Sequence, residues 1–125
     1  MINLDTHVLL HALTGDVSPG ERRLLSDEAW SISAIVLWEL AKLSQLGRIA
    51  VDLDDSEVVR TLSTLHVWPL DLPVARASIR LDFRSDPADE IIAATSVVHR
   101  VPLLTRDRRI LASKQVPFPR GFGGK

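Results

Sequence analysis

The sequence predicts an α/β protein: a three-layer α/β/α sandwich around a central, mainly parallel sheet of four to five strands. Three observations carry this. Short apolar runs alternate along the chain with segments of helical spacing. One run, Val101 to Thr105, is continuously apolar up to its last residue, as a strand covered on both faces should be. Cap-plus-proline pairs at Ser18-Pro19 and Asp86-Pro87 mark helix starts between the runs.

The elements follow in order. Ile2 to Leu4 reads as a first strand, and Thr6 to Leu13 as a helix ending near Gly15. Ser18 caps a helix with Pro19 at its first position, running to about Glu28. Trp30 to Ile32 is a short second strand. Ser33 caps a helix through Leu46, which Gly47 ends. Asp54 or Asp55 opens a helix to about Leu65, and Val67 to Pro69 reads as a third strand. Pro73 opens a helix to about Leu81, and Asp86 caps one from Pro87 through His99. Val101 to Thr105 is the buried strand, and Asp107 starts a last helix to about Ser113. Val116 to Phe118 reads as an edge strand, where proline is tolerated.

The chain has 125 residues, 46% hydrophobic and 25% charged, which suits one domain with a real core. We place that domain at residues 1–118, with 119–125 as a flexible tail. Cysteine is absent, which excludes disulfide scaffolds, thiolate zinc sites and cysteine nucleophiles. No apolar stretch approaches the roughly 20 residues that span a bilayer. The first residues meet Asp5 with no basic stretch before it, so a cytoplasmic location is expected rather than export. Net charge is −1, but acids dominate up to about Leu62 and bases beyond it, most of them arginine. That asymmetry permits a phosphate-bearing partner.

In a parallel sheet the functional crevice lies outside the carboxyl ends of the strands, at a topological switch point. Two acids fall at such ends: Asp5, after the first strand, and Asp107, after Leu103-Leu104-Thr105. Either also suits a helix N-cap. Glu39 is the only polar residue in Ala34 to Ala41, a stretch that reads as buried all round. A buried carboxylate there needs compensation, and Lys42, one turn on, is a possible partner. Asp89 is the third residue of its helix, where the dipole favours an acid. If the fold brings these four together, protonation or a divalent cation must relieve their repulsion. An oxygen-only donor set favours Mg²⁺ or Mn²⁺.

At these residues the sequence resembles the PIN-domain ribonucleases, and within them the VapC-like toxins of bacterial toxin–antitoxin pairs. The matching pieces are Leu4-Asp5-Thr6-His7, then Ser33-Ala34 with Trp38-Glu39-Leu40 and Gly47-Arg48. Asp86-Pro87-Ala88-Asp89 with Ile92 to Thr95 follows, and Leu104-Thr105-Arg106-Asp107 completes the set. They occur in the family's order and span nearly the whole chain. The resemblance implies a divalent-metal site, endoribonuclease activity, a homodimer and a small antitoxin partner. It places Asp5, Glu39, Asp89 and Asp107 on the acidic cluster, with Thr6 and Thr105 on small hydroxyl positions beside it. Three features stand out against the family pattern. His7 stands where many members have Asn, and Glu90 where many have Arg. Asp86 competes with Asp89 as third ligand; Asp89 is preferred because Asp86 has capping work.

On this reading the four acids hold Mg²⁺ or Mn²⁺, and Asp107 or Glu39 orients the water that attacks an RNA phosphodiester. Arg84, Arg106, Arg108 and Arg109 flank the third and fourth acids and are the expected phosphate contacts. His11, His66 and His99 are read as structural or exposed, and Trp30, Trp38 and Trp68 as core. Two rivals remain: a catalytically silent PIN-like module that only binds RNA or protein, and a phosphoryl-accepting receiver domain. The second lacks paired acids after the first strand and a late Lys-Pro.

Overall fold

The computed structural model describes residues 1–123 of the chain. Among these, the elements run β1 (Ile2–Leu4), α1 (Thr6–Thr14), α2 (Pro19–Asp27), β2 (Trp30–Ser33), α3 (Ala34–Gln45), α4 (Ser56–Ser63) and β3 (His66–Trp68). Then follow α5 (Leu72–Ser78), α6 (Pro87–His99), β4 (Leu103–Leu104) and α7 (Arg108–Leu111). The strands form one four-stranded sheet in the order β3-β2-β1-β4, all pairs parallel. The chain steps outward from β1 through β2 to β3, then returns to lay β4 on the other side of β1. The switch point therefore lies between β1 and β4.

Successive strand residues point to opposite faces, yet Ile2, Asn3 and Leu4 are all buried, as are Leu103 and Leu104. Helices thus cover both faces of the central strands, as the predicted sandwich requires. The core joins Leu4, Leu9, Ile32, Val36, Leu40, Ile92 and Leu104, each with no more than 2% exposure or none. Each such side chain contributes roughly 1.5–3 kcal/mol by leaving water.

One polar residue interrupts that core, and it has a positioning job. Asn3 Nδ2 donates to Ser96 Oγ at 2.9 Å, and Ser31 Oγ donates to Asn3 Oδ1 at 3.4 Å. Ser31 Oγ also reaches Ile2 O at 3.0 Å. These bonds lock α6 and β2 to β1, two residues before Asp5.

Local rules explain the helix ends. Asp5, Ser18, Ser33, Asp55, Asp71 and Asp107 each accept a hydrogen bond from the backbone they precede. Gly15 closes α1 at φ 79°, a left-handed conformation that favours glycine.

The structure differs from expectation in several places, each for a hydrogen-bonding reason. The fourth strand is two residues rather than five. Val101 N is taken by Ser96 O at the end of α6, Pro102 has no N–H, and the Thr105 side chain turns to Asp5. The third strand is His66–Trp68, ending before Pro69. The fifth helix stops at Ser78, because Arg80 O and Asp82 N are held by the Gln115 side chain. The last helix stops at Leu111, since Ser113 Oγ donates to Asp82 Oδ1 and accepts from Gln115 N and Val116 N. Residues 116–118 form no strand. Leu103 N reaches Pro117 O at 2.9 Å, but the prolines around that contact cannot extend a ladder. The free tail expected from residue 119 does not begin there either: Pro119 is buried and Phe122 packs against the core. Gly124 and Lys125 lie outside the described residues.

Trp38 is 55% exposed, so it is a surface residue and not part of the core. The α3 helix is accordingly not buried all round; only Val36 and Leu40 are. Trp30 is half-buried, its Nε1 donating to Leu25 O, and Trp68 stacks on His99 with centroids 4.1 Å apart.

Candidate active site

At the carboxyl ends of β1 and β4 lies a cleft of about 360 Å³, lined by Asp5, Asp86, Asp89 and Asp107 together with His7, His11 and Arg106. Each acid arrives there by a different local device.

Asp5 ends β1 and caps α1. Its Oδ1 accepts from Val8 N at 2.8 Å, and its Oδ2 accepts from Thr105 Oγ1 at 2.5 Å. Capping and membership of the cluster are therefore both true of this residue. Burial pushes its carboxyl pKa up, and the Asp89 charge adds to that. The two hydrogen bonds and the nearby His7 act the other way.

Asp107 stands three residues beyond the matching end of β4. Its Oδ1 caps α7 through Arg109 N at 2.8 Å and Ile110 N at 3.4 Å. Thr105 serves both ends, since its Oγ1 also accepts from Asp107 N at 3.1 Å.

Asp89 is half-buried on the first turn of α6, and its Oδ2 accepts from Ser85 Oγ at 3.2 Å. Burial raises its pKa most, and the charges of Glu39, Asp107 and Asp86 raise it further. Those couplings place Asp5, Glu39, Asp86 and Asp107 each within electrostatic reach of Asp89. Glu39 does not itself line the cleft; it stands behind it, half-buried, accepting the hydroxyl of Thr6. Lys42 is not its partner, because Lys42 Nζ donates to Gln45 Oε1 at 3.1 Å.

Asp86 corrects a sequence expectation. It sits at the N-cap of α6 in extended conformation, but its side chain makes no capping bond. Capping therefore does not occupy Asp86, and its side chain lines the cleft. Glu90 turns back instead, its Oε2 accepting from Ser85 N at 3.1 Å.

Arg106 corrects another. Its Nε and Nη2 grip both Glu21 carboxylate oxygens at 3.0 and 2.8 Å, and Nη2 also donates to Asp16 O at 2.9 Å. This fork ties α2 to the loop after β4 and holds the Glu21 carboxyl down to about 2. Arg106 is thus a brace, not a free phosphate contact. Arg84, Arg108 and Arg109 are exposed and do not line the cleft; Arg109 Nη1 donates to Arg84 O at 3.3 Å.

The fold also brings in residues to which the sequence assigned no site role, His11 among them having been expected to be structural or exposed. His7 and His11 line the cleft, and their spacing of four on one helix after Asp5 was the available signal. Ser85, which orients Asp89, carried no signal at all.

The cluster fits a hard divalent cation in its chemistry. Asp86, Asp89 Oδ1 and Asp107 Oδ2 receive no hydrogen bond from the described residues, so oxygens of three carboxylates are available in one cleft. Burial first, and neighbouring carboxylates to a lesser degree, push the Asp5 and Asp89 carboxyls up, and a bound cation would offset both effects. Among the described residues no three acids or histidines are drawn together closely enough to hold a metal ion between them. Mg²⁺ keeps several waters and can be bound through one or two carboxylates.

An all-parallel α/β domain with carboxylates gathered at its switch point defines a class, the domains with an acidic cleft at the strand ends. The comparisons make the class specific: the PIN domain model matches residues 2–115, and the chain belongs to that family. It is 34% identical over 93 residues to Ribonuclease VapC22 of Mycobacterium tuberculosis, covering 71% of this chain and 70% of that protein. Its fold is similar to VapBC2 from Rickettsia felis bound to a promoter DNA fragment, with TM-score 0.70, 16% identity and 95% and 98% of the two chains covered. It is similar also to a toxin–antitoxin complex from Klebsiella pneumoniae, with TM-score 0.69, 21% identity and 90% and 91% coverage. Family membership removes the receiver-domain alternative.

Proposed function

We propose that this protein is a Mg²⁺- or Mn²⁺-dependent endoribonuclease and the toxin of a toxin–antitoxin pair, acting in the cytoplasm. The observation that carries the reading is the gathering of Asp5, Asp89 and Asp107 at the ends of β1 and β4, with Glu39 coupled to Asp89 from behind. Likeness to a ribonuclease of the same family supports the activity. Likeness to toxin–antitoxin complexes supports an antitoxin partner, and the homodimer rests on the family resemblance alone. Exposed Trp38 and Leu46 on and after α3, and Ile79 after α5, supply apolar surface for such partners.

Asp5, Asp89 and Asp107 would hold the ion, with Glu39 and Asp86 adding negative charge beside it. The bound ion supplies Lewis acidity at the phosphate and at the attacking water. The chain's own residues do the rest. Thr105 fixes the Asp5 carboxylate and Thr6 fixes Glu39, so neither rotates as substrate arrives. Asp107 Oδ2, which accepts no hydrogen bond from the described residues, orients the water and accepts its proton. Arg84, Arg108 and Arg109 remain as outer phosphate contacts, now without Arg106. Fragment ends test the scheme: attack by water leaves a 3′-hydroxyl and a 5′-phosphate, whereas 2′,3′-cyclic phosphate ends would mean attack by the ribose and would overturn it.

A further inference from the structure

The start of α6 is built differently from the start of α2. At α2 the capping box is complete: Ser18 Oγ accepts from Glu21 N at 3.1 Å, and Glu21, the third helical residue, reaches back to Ser18 N at 2.8 Å. At α6 the third helical residue is Asp89, and the N-cap Asp86 makes no side-chain capping bond. The residue that reaches back is Glu90, one position later. Its Oε2 accepts from Ser85 N, one position before the cap, at 3.1 Å. Asp89 is spared that role and lines the cleft instead. Its side chain has one hydrogen-bond partner among the described residues, Ser85 Oγ, which donates to Oδ2 at 3.2 Å.

Ser85 needs its anchor. It lies in residues 79–86, which join α5 to α6 without helix or strand. A hydroxyl carried by a loop is only as fixed as the backbone beneath it. Resting on the metal-site reading above, we propose that Glu90 and Ser85 are a positioning pair for Asp89: the Glu90 carboxylate fixes the Ser85 backbone, and the Ser85 hydroxyl fixes the Asp89 carboxylate as an ion ligand. Neither residue touches the ion or the RNA in this assignment. Glu90, which departs from the family pattern, thereby has a local function. Charge and position make different demands at Glu90. An acid acting through its charge alone loses its effect equally on change to Gln or Ala. An anchor acts through an acceptor oxygen, which Gln keeps.

The test titrates Mn²⁺ into the RNA-free protein and reads the free ion by electron paramagnetic resonance, at a temperature where circular dichroism shows every variant folded. Ser85→Ala should weaken Mn²⁺ binding about 10-fold, and Ser85→Thr, which keeps the hydroxyl, should stay within about 2-fold of the parent. Glu90→Ala should weaken binding about 3- to 10-fold, and Glu90→Gln about 2-fold or less. Because Glu90 acts through Ser85, the double variant Ser85→Ala/Glu90→Ala should bind Mn²⁺ within about 2-fold of Ser85→Ala alone. Four results would each overturn the assignment: binding unchanged by Ser85→Ala, equal losses in Ser85→Thr and Ser85→Ala, equal losses in Glu90→Gln and Glu90→Ala, or additive losses in the double variant. The metal-site reading fails differently. A parent that binds no Mn²⁺, or binds it equally well after Asp89→Asn, would remove that reading and this assignment with it.

Discussion

Thr105 donates its hydroxyl to Asp5 Oδ2 across 2.5 Å, joining two residues that are 100 positions apart in the chain. The bond links the end of β4 to the end of β1 at the switch point, and it favours the charged form of a buried carboxylate. Thr105→Val should therefore raise the Asp5 pKa further and weaken divalent-ion binding. The variant should lose about 1–2 kcal/mol of stability and show a smaller rise in Tm on adding Mn²⁺. Thr105→Ser should behave like the parent. Calorimetry with and without Mn²⁺ reads both effects, and an unchanged Mn²⁺ response in Thr105→Val would contradict the positioning role.

Asp5→Asn should separate stability from function. The folded-state pKa of Asp5 lies above the value for an unfolded chain, so ionisation at neutral pH works against folding. Asn removes that cost and can still cap Val8 N. In chelator at pH 7 the variant should melt a few degrees higher than the parent, with no rise on adding metal. The gain should shrink as pH falls through the folded-state pKa, where the parent's carboxyl is protonated as well. A lower Tm for Asp5→Asn in chelator at pH 7 would count against repulsion and burial as the cause.

Glu21 and Arg106 set an acid limit of the opposite sign. The Glu21 carboxyl is held down to about 2 from an ordinary 4.5. Its contribution is complete above about pH 4.5 and is lost as pH falls towards 2. Because Arg106 is partly exposed, we expect about 2 kcal/mol rather than the full linkage value. Urea unfolding should show Glu21→Gln weaker than the parent by that amount at pH 6 and indistinguishable from it near pH 2. A gap that persists at pH 2 would mean lost packing rather than lost charge.

Asp86 and Asp89 can be ranked. Asp89 is half-buried and coupled to Glu39 and Asp107, whereas Asp86 is exposed at the cleft rim. Asp89→Asn should reduce RNA cleavage by about 100-fold or more, and Asp86→Asn by about 10-fold or less. Matched single-turnover rates at saturating Mn²⁺ would decide the ranking, and the reverse order would make Asp86 the third ligand.

Much of this site could be read in the chain because its acids sit where local rules put them. Asp5 and Asp107 are strand-end caps, and a strand end in a parallel sheet already points to the crevice. Asp89 follows from the Asp86-Pro87 helix start. Glu39 was singled out for a reason that does not hold: α3 exposes Trp38, and the compensation comes from Thr6 rather than from a wholly buried helix. What could not be read depends on side-chain rotamers or on distant partners. Whether Asp86 caps is a choice of rotamer. That Arg106 is spent on Glu21 is a contact between residues 85 positions apart, which no local pattern encodes. The short fourth strand reflects the competing partners of Val101 and Thr105, visible only once α6 and β1 are in place.

The most direct test is cleavage of total bacterial RNA by the purified protein, with Mg²⁺ or Mn²⁺ and with chelator, beside Asp5→Asn. The account predicts discrete fragments that require both the ion and Asp5. Folded, antitoxin-free protein that cuts nothing under any of these conditions, or that cuts equally well in chelator, would contradict it.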